Sequence, residues 1–184
     1  LARMYGVRRD LGAGVTDLKR YLYFVPLVLI ASVNLWNGIN LNHSKSEIIF
    51  HILTMVNVGF LEEIIFRGFL FRMMAKDNVK RAIVVSALTF GIGHIVNLLN
   101  GADLIQTLIQ VCYAISLGYL FVIIFYKSKS LIPCIITHAC VNSLSIFNIE
   151  TERSLYVSSA LLIIISLSYA VYINRNVTES SRAD

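Results

Sequence analysis

Apolar residues run along this chain in stretches of roughly 20, the length a helix needs to cross the hydrocarbon core of a bilayer. Five stretches qualify: Tyr21–Asn42, Ala82–Ala102, Leu104–Tyr126, Ser130–Ile149 and Leu155–Ile173. None contains Asp, Glu, Lys or Arg; Asp103 lies between two of them. One more, Glu47–Met74, the second of the six in chain order, is apolar after Glu47 and is then interrupted by Glu62-Glu63-Ile-Ile-Phe-Arg67-Gly-Phe-Leu-Phe-Arg72. The pattern predicts an all-α, polytopic transmembrane helix bundle of about six spans. It divides the chain into a flank at 1–20, a membrane domain at 21–174 and a polar tail at 175–184. No internal repeat or low-complexity tract is present.

Composition agrees. Of 184 residues, 57% are hydrophobic and 15% charged, and mean hydropathy is +0.70. Soluble domains carry about 25% charged residues. Disorder, a fibrous repeat and an ordinary soluble enzyme are thereby excluded. The net charge of +5 raises nucleic acid as a partner. However, the basic residues form no stripe with interleaved aromatics, so no nucleic acid is expected. They flank the apolar stretches instead. Arg3, Arg8, Arg9, Lys19 and Arg20 precede the first, and Arg72, Lys76, Lys80 and Arg81 precede the third. Lys127 and Lys129 precede the fifth, and Arg175 and Arg182 follow the sixth. The intervening flanks are poor in basic residues. By the positive-inside rule both ends of this segment are cytoplasmic. The chain opens at Leu1, which leaves room for an upstream segment, and no signal peptide is visible. Tyr21, Tyr23, Tyr126, Tyr156 and Tyr172, near span ends, suit an interfacial belt. Cys112, Cys134 and Cys140 form no CxxC pair and read as small core residues.

Ionisable groups in mid-membrane are costly and point to function. Glu63 and Arg67, four residues apart, share a helical face and can pair. Glu62 lies about 100° round the helix and is not neutralised in that way. The third span offers Phe90-Gly-Ile-Gly-His94, and the fifth offers His138-Ala-Cys-Val-Asn142, whose outer members share a face. Counting about 1.5 Å per residue from the basic flanks puts Glu62, His94, His138 and Asn142 near the midplane of a core about 30 Å thick. Packed together, their three helices would enclose one polar chamber. His43, His51, Asn97 and Asn100 read as structural.

A desolvated carboxylate suits general acid–base work, a histidine can shuttle a proton, and an Asn amide can hold an oxyanion. Glu62, His94, His138 and Asn142 therefore suit hydrolysis of a peptide bond within the membrane. No HExxH zinc motif, Gly-x-Ser-x-Gly elbow or pair of intramembrane aspartates is present. Cys134, four residues before His138, leaves a minor Cys–His alternative.

The motifs Glu62-Glu63-x-x-x-Arg67, Phe90-x-x-x-His94 and His138-x-x-x-Asn142 resemble those of the CPBP family of intramembrane proteases. This is the CAAX prenyl protease 2 (Rce1-like), or Abi, group. Phe66-Arg67-Gly68 and Ser130-Leu-Ile-Pro133 fit as well, and the resemblance covers about residues 47–147. It implies a multi-pass protease with its site inside the membrane, reached from the cytoplasm. Glu62 would activate water, His94 would complete the catalytic pair, His138 and Asn142 would support the oxyanion, and Glu63 and Arg67 would orient the site. Phe66 and Phe90, the aromatic residues of the first two motifs, are taken as substrate contacts. The partners implied are a membrane-embedded peptide or protein substrate and the lipid bilayer. Eukaryotic members trim prenylated CAAX proteins, and bacterial members are tied to bacteriocin immunity and peptide maturation. The short chain favours a prokaryotic plasma-membrane member.

Two histidines and a glutamate can also ligate zinc with a fourth position open to water. Zinc through Glu62, His94 and His138 is the alternative to the metal-free reading preferred here, in which no cofactor is needed. Two non-proteolytic alternatives stand beside the protease. One is a membrane scaffold or immunity protein that binds a partner's transmembrane segment. The other is a proton-coupled transporter, although the paired broken helices of transporters are missing.

Overall fold

The computed structural model describes residues 26–149 and 151–177. The expectations for the 1–20 flank, for Tyr21 and Tyr23 and for Arg182 lie outside the described residues. Helix α1 spans Leu27–Ala31 and is followed by a 3-10 turn at Val33–Leu35. Helix α2 spans Lys45–Glu63 and continues without a break through a π-helical stretch, Ile64–Phe71, into a last α turn at Arg72–Met74. Helix α3 spans Val79–Ile92, then tightens to a 3-10 turn at Gly93–Ile95 before a helical turn at Val96–Leu99. Helices α4 (Leu104–Ser128), α5 (Ile132–Leu144, with a 3-10 turn at Ser145–Phe147) and α6 (Glu152–Asn176) complete the order. Among the described residues there is no β-strand, only an isolated bridge between Ile39 and Asn148.

Local chemistry sets the helix starts. Ser44 and Glu47 form a capping box: the Ser44 hydroxyl accepts from the Glu47 N–H at 3.2 Å, and the Glu47 carboxylate accepts from the Ser44 N–H at 2.7 Å. Each bond satisfies an amide that the helix leaves orphaned. Asn78 caps α3 through the Arg81 N–H, and Asp103 caps α4 through the Gln106 N–H. Pro133 occupies the first turn of α5, where its missing N–H costs nothing.

Among the described residues, four helical stretches are long and apolar enough to cross a membrane: Lys45–Met74, Val79–Leu99, Leu104–Ser128 and Glu152–Asn176. The other two expected spans differ. The described part of Tyr21–Asn42 leaves the helix after Leu35, because Gly38 sits at φ +102°. In addition, the Asn42 N–H donates to the Asn40 side chain at 3.0 Å, a local bond that competes with helix. The Ser130–Ile149 stretch is helical only over Ile132–Phe147, shorter than a full span, and ends in extended backbone at Asn148. The charged interruption at Glu62–Arg72 does not break its helix; the backbone widens to π geometry instead.

The chain divides into two compact units. The first comprises the described residues up to Ile65 together with Ser130–Thr151. In it α2 packs on α5, and α1 packs on α5 as well. The closest approach is at Gly59, where a Cβ would lie 3.0 Å from the Ala139 nitrogen and 3.2 Å from its Cα. Only glycine admits the neighbouring backbone there.

The second unit comprises Phe66–Lys129 and the described residues from Glu152 on. Helix α4 packs against both α3 and α6, and its run Leu120–Phe125 is buried throughout. An all-round apolar helix belongs in such a position. Large apolar side chains such as Phe50, Leu61, Val84, Ile105 and Ile164 are exposed, while Glu63, Arg67, Ser86, Thr107 and Ser166 are buried. That distribution suits a surface that meets lipid rather than water. Cys134 is buried as expected, but Cys112 is exposed, since it falls on an outward face of α4.

Candidate active site

In the first unit, the end of α2 presents Glu62 and Glu63 to His138 on α5. His138 Nδ1 lies 3.0 Å from Glu63 Oε1, and His138 Nε2 lies 3.7 Å from Glu62 Oε2. The two ring nitrogens thus face two different carboxylates. The carboxylates are not equivalent: the Glu63 side chain is wholly buried, whereas 32% of the Glu62 side chain is exposed. A carboxylate only accepts hydrogen bonds, so Nδ1 donates to Glu63. Nε2 faces the Glu62 carboxylate at 3.7 Å.

Asn142 follows His138 by one turn of α5 and is half-buried. Its backbone carbonyl accepts from Ser145 Oγ at 2.7 Å and from His51 Nε2 at 3.2 Å. One residue earlier, the Val141 carbonyl accepts from Asn34 Nδ2 at 2.6 Å. In the sequence Asn34 carries no functional signal, and His51, which could face the site, reads as structural. Each is a polar residue on an element remote along the chain, and no spacing rule links them to α5.

In the second unit, Arg67 is fully buried on the π-helical stretch. The four-residue spacing reasoned for it assumed an α-helix; π turns are rare and recur at functional sites. Its Nη2 donates to the Gly118 carbonyl at 3.0 Å. Its guanidinium lies 4.3 Å from the Phe90 ring centre and 5.5 Å from that of Phe121, within cation–π range. Phe66 meets Phe90 edge-on at 5.3 Å, and Ser86 Oγ donates to the Phe66 carbonyl at 3.0 Å. Phe66 is half-buried, while Phe90 is buried.

His94 stands where α3 tightens into its 3-10 turn, edge-on to Phe90. Its Nδ1 lies 3.1 Å from the Phe90 carbonyl oxygen. A carbonyl cannot donate, so Nδ1 carries the hydrogen, and in the neutral ring Nε2 is the acceptor. The hydrogen bond therefore fixes the tautomer with Nε2 available as a base. Asn97, also in this unit, donates to Gln110 Oε1 at 2.8 Å.

The first unit thus brings together Glu62, Glu63 and His138, with Asn142 one turn on. The second brings together Phe66, Arg67, Phe90 and His94. Among the described residues, no three His, Cys, Asp or Glu side chains gather as a metal-ligand set.

Comparison with known proteins supplies the family. The sequence model described as "Type II CAAX prenyl endopeptidase Rce1-like" matches residues 44–144. That range runs from the cap of α2 to the last residue of α5 and covers more than half of the chain. No curated protein and no solved structure matches. With every motif residue inside the matched range, the chain belongs to the Rce1-like family of type II CAAX prenyl endopeptidases.

Proposed function

We propose that this protein is an intramembrane endopeptidase that hydrolyses peptide bonds of membrane-associated substrates with water activated by Glu62. The observation that carries this reading is the asymmetry of the two adjacent glutamates. Glu63 is sealed against His138 Nδ1, and Glu62 keeps an accessible carboxylate 3.7 Å from Nε2. A buried acid that orients an imidazole and an accessible acid that meets water are different roles, and the two environments support dividing them between Glu63 and Glu62.

In this mechanism Glu62 takes a proton from water as the water oxygen attacks the scissile carbonyl carbon. The carbonyl π pair moves to oxygen, and the oxyanion is held by the Asn142 amide and by a hydrogen on His138 Nε2. Collapse reforms the carbonyl and breaks the C–N bond, and the proton returns from Glu62 to the leaving nitrogen. His94, with Nε2 as acceptor, completes the catalytic pair. Arg67 orients the site, with Phe90 beneath its guanidinium, and Phe66 contacts substrate.

We read the reaction as metal-free. In this reading Glu62 itself is the base that activates water, and no metal is required. The alternation of basic-rich and basic-poor flanks supports cytoplasmic ends for this segment of a multi-pass membrane protein. Substrates would be CAAX-like or bacteriocin-type membrane peptides.

The test uses a reporter peptide ending in a farnesylated CAAX-type sequence, with the chain in detergent. Glu62→Gln abolishes cleavage while the helical circular dichroism spectrum is retained. Cleavage at the wild-type rate by Glu62→Gln overturns the assignment.

A further inference from the structure

Asn142 lies in the last turn of α5, where the helix tightens into the 3-10 turn Ser145–Phe147 and the Asn142 carbonyl accepts the Ser145 N–H. Helix ends fray unless side chains from outside add to such bonds. Two other elements do this. Asn34, from the 3-10 turn after α1, donates to the Val141 carbonyl at 2.6 Å. His51, three turns before Glu62 on α2, reaches the Asn142 carbonyl and Ser145 Oγ, both at 3.2 Å.

The hydrogens in this cluster are determined by chemistry. The Asn142 carbonyl can only accept, so His51 Nε2 carries a hydrogen. Ser145 Oγ donates its own hydrogen to the same carbonyl at 2.7 Å and so accepts from His51. The three groups form a closed triangle in which the single Nε2 hydrogen is shared between the carbonyl and the hydroxyl oxygen. Helix α2 therefore grips α5 at two polar points. Glu63 holds the His138 ring, and His51 holds the backbone of the turn that carries Asn142.

We infer that His51, assisted by Asn34, is a positioning residue of the active site. It clamps the C-terminal turn of α5 so that the Asn142 amide is presented to the reacting carbonyl. This rests on the proposed hydrolytic role of Asn142. His51 does not touch the reacting atoms; it acts through the Asn142 backbone.

The test compares His51→Gln, which keeps an N–H donor on a side chain of similar reach, with His51→Leu, which removes it. With the farnesylated reporter peptide, His51→Leu lowers kcat by roughly 10-fold, the scale for loss of an orienting partner, and leaves KM unchanged. His51→Gln restores most of the rate. In parallel, nuclear magnetic resonance of asparagine side-chain amides is recorded on the full chain in micelles. The Asn142 pair is assigned by its loss in Asn142→Ala. That pair moves in His51→Leu and stays in place in His51→Gln. An unmoved Asn142 pair in His51→Leu, or equal kcat in the wild type and His51→Leu, overturns the inference. If the wild type cleaves nothing, the proposed function fails, while the amide resonances still decide whether His51 positions Asn142.

Discussion

Glu63 and His138, 75 residues apart in sequence, meet at 3.0 Å with the carboxylate wholly buried. The contact joins the end of α2 to the middle of α5 and fixes which ring nitrogen of His138 carries a hydrogen. It also separates two glutamates that are adjacent in the chain into an enclosed acid and an accessible one.

Glu63→Gln retains an acceptor for His138 Nδ1 but removes the charge that steadies a protonated ring. The rate of cleavage is expected to fall roughly 10- to 100-fold, as for partners that orient functional histidines, with KM preserved. Steady-state kinetics on the reporter peptide checks this. A wild-type kcat in Glu63→Gln contradicts the orienting role.

Gly59 lets the backbones of α2 and α5 touch. Gly59→Val puts branched carbon against the Ala139 backbone, which cannot swing aside as a side chain can. Overpacking of this kind costs about 1–3 kcal/mol, more than the roughly 0.5–1 kcal/mol a helix gains by losing glycine. Thermal unfolding in detergent should show a lowered midpoint, and cleavage should fall as Glu63 is pushed from His138. A midpoint equal to the wild type would mean that the two helices separate without cost.

Two glycines of α3 and its following turn provide an internal comparison within the second unit. A Cβ at Gly91 would lie 2.7 Å from the Ile115 nitrogen, whereas nothing lies within 4 Å of a Cβ at Gly93. Gly91→Ala is expected to destabilise by about 1–3 kcal/mol. Gly93→Ala is expected to be neutral or to stabilise by up to about 1 kcal/mol. Chemical unfolding of the pair measures the difference, and equal stabilities would contradict the packing of α3 on α4.

Arg67 uses the flat face of its guanidinium against Phe90 and an edge N–H on the Gly118 carbonyl. Lysine has neither the plane nor the fork. Arg67→Lys should lose about 1.5–3 kcal/mol, the value of a buried hydrogen bond from a charged group. Thermal unfolding reads this directly, and an unchanged midpoint would show that a point charge suffices.

Cleavage should survive exhaustive chelation, as metal-free glutamate catalysis requires. Dialysis against a strong chelator, with residual metal measured by elemental analysis, is the check. Activity lost on chelation and regained with zinc would move the mechanism to the metal-dependent alternative.

The helices and the family motifs were legible in the sequence because they are written in local terms. Apolar stretches of spanning length, and Asp103 between two of them, need only neighbours a few residues away. The same holds for the candidate site: Glu62, Glu63, Arg67, His94, His138 and Asn142 stand out because polar groups in apolar helices require partners. Which partner each one takes is not local. Hydropathy treats Glu62 and Glu63 alike, and only the packing of α2 on α5 seals one and leaves the other open. Likewise α-helical spacing assumes 3.6 residues per turn, which the π-helical stretch under Arg67 does not keep. His51 and Asn34 gained their places only when α2 and the turn after α1 met the end of α5. Sequence alone thus determined the helical class, the family and the set of polar residues available for chemistry. The tertiary structure decided the pairing of those residues, because contacts between helices distant in sequence depend on side-chain and backbone packing, which no short-range period encodes.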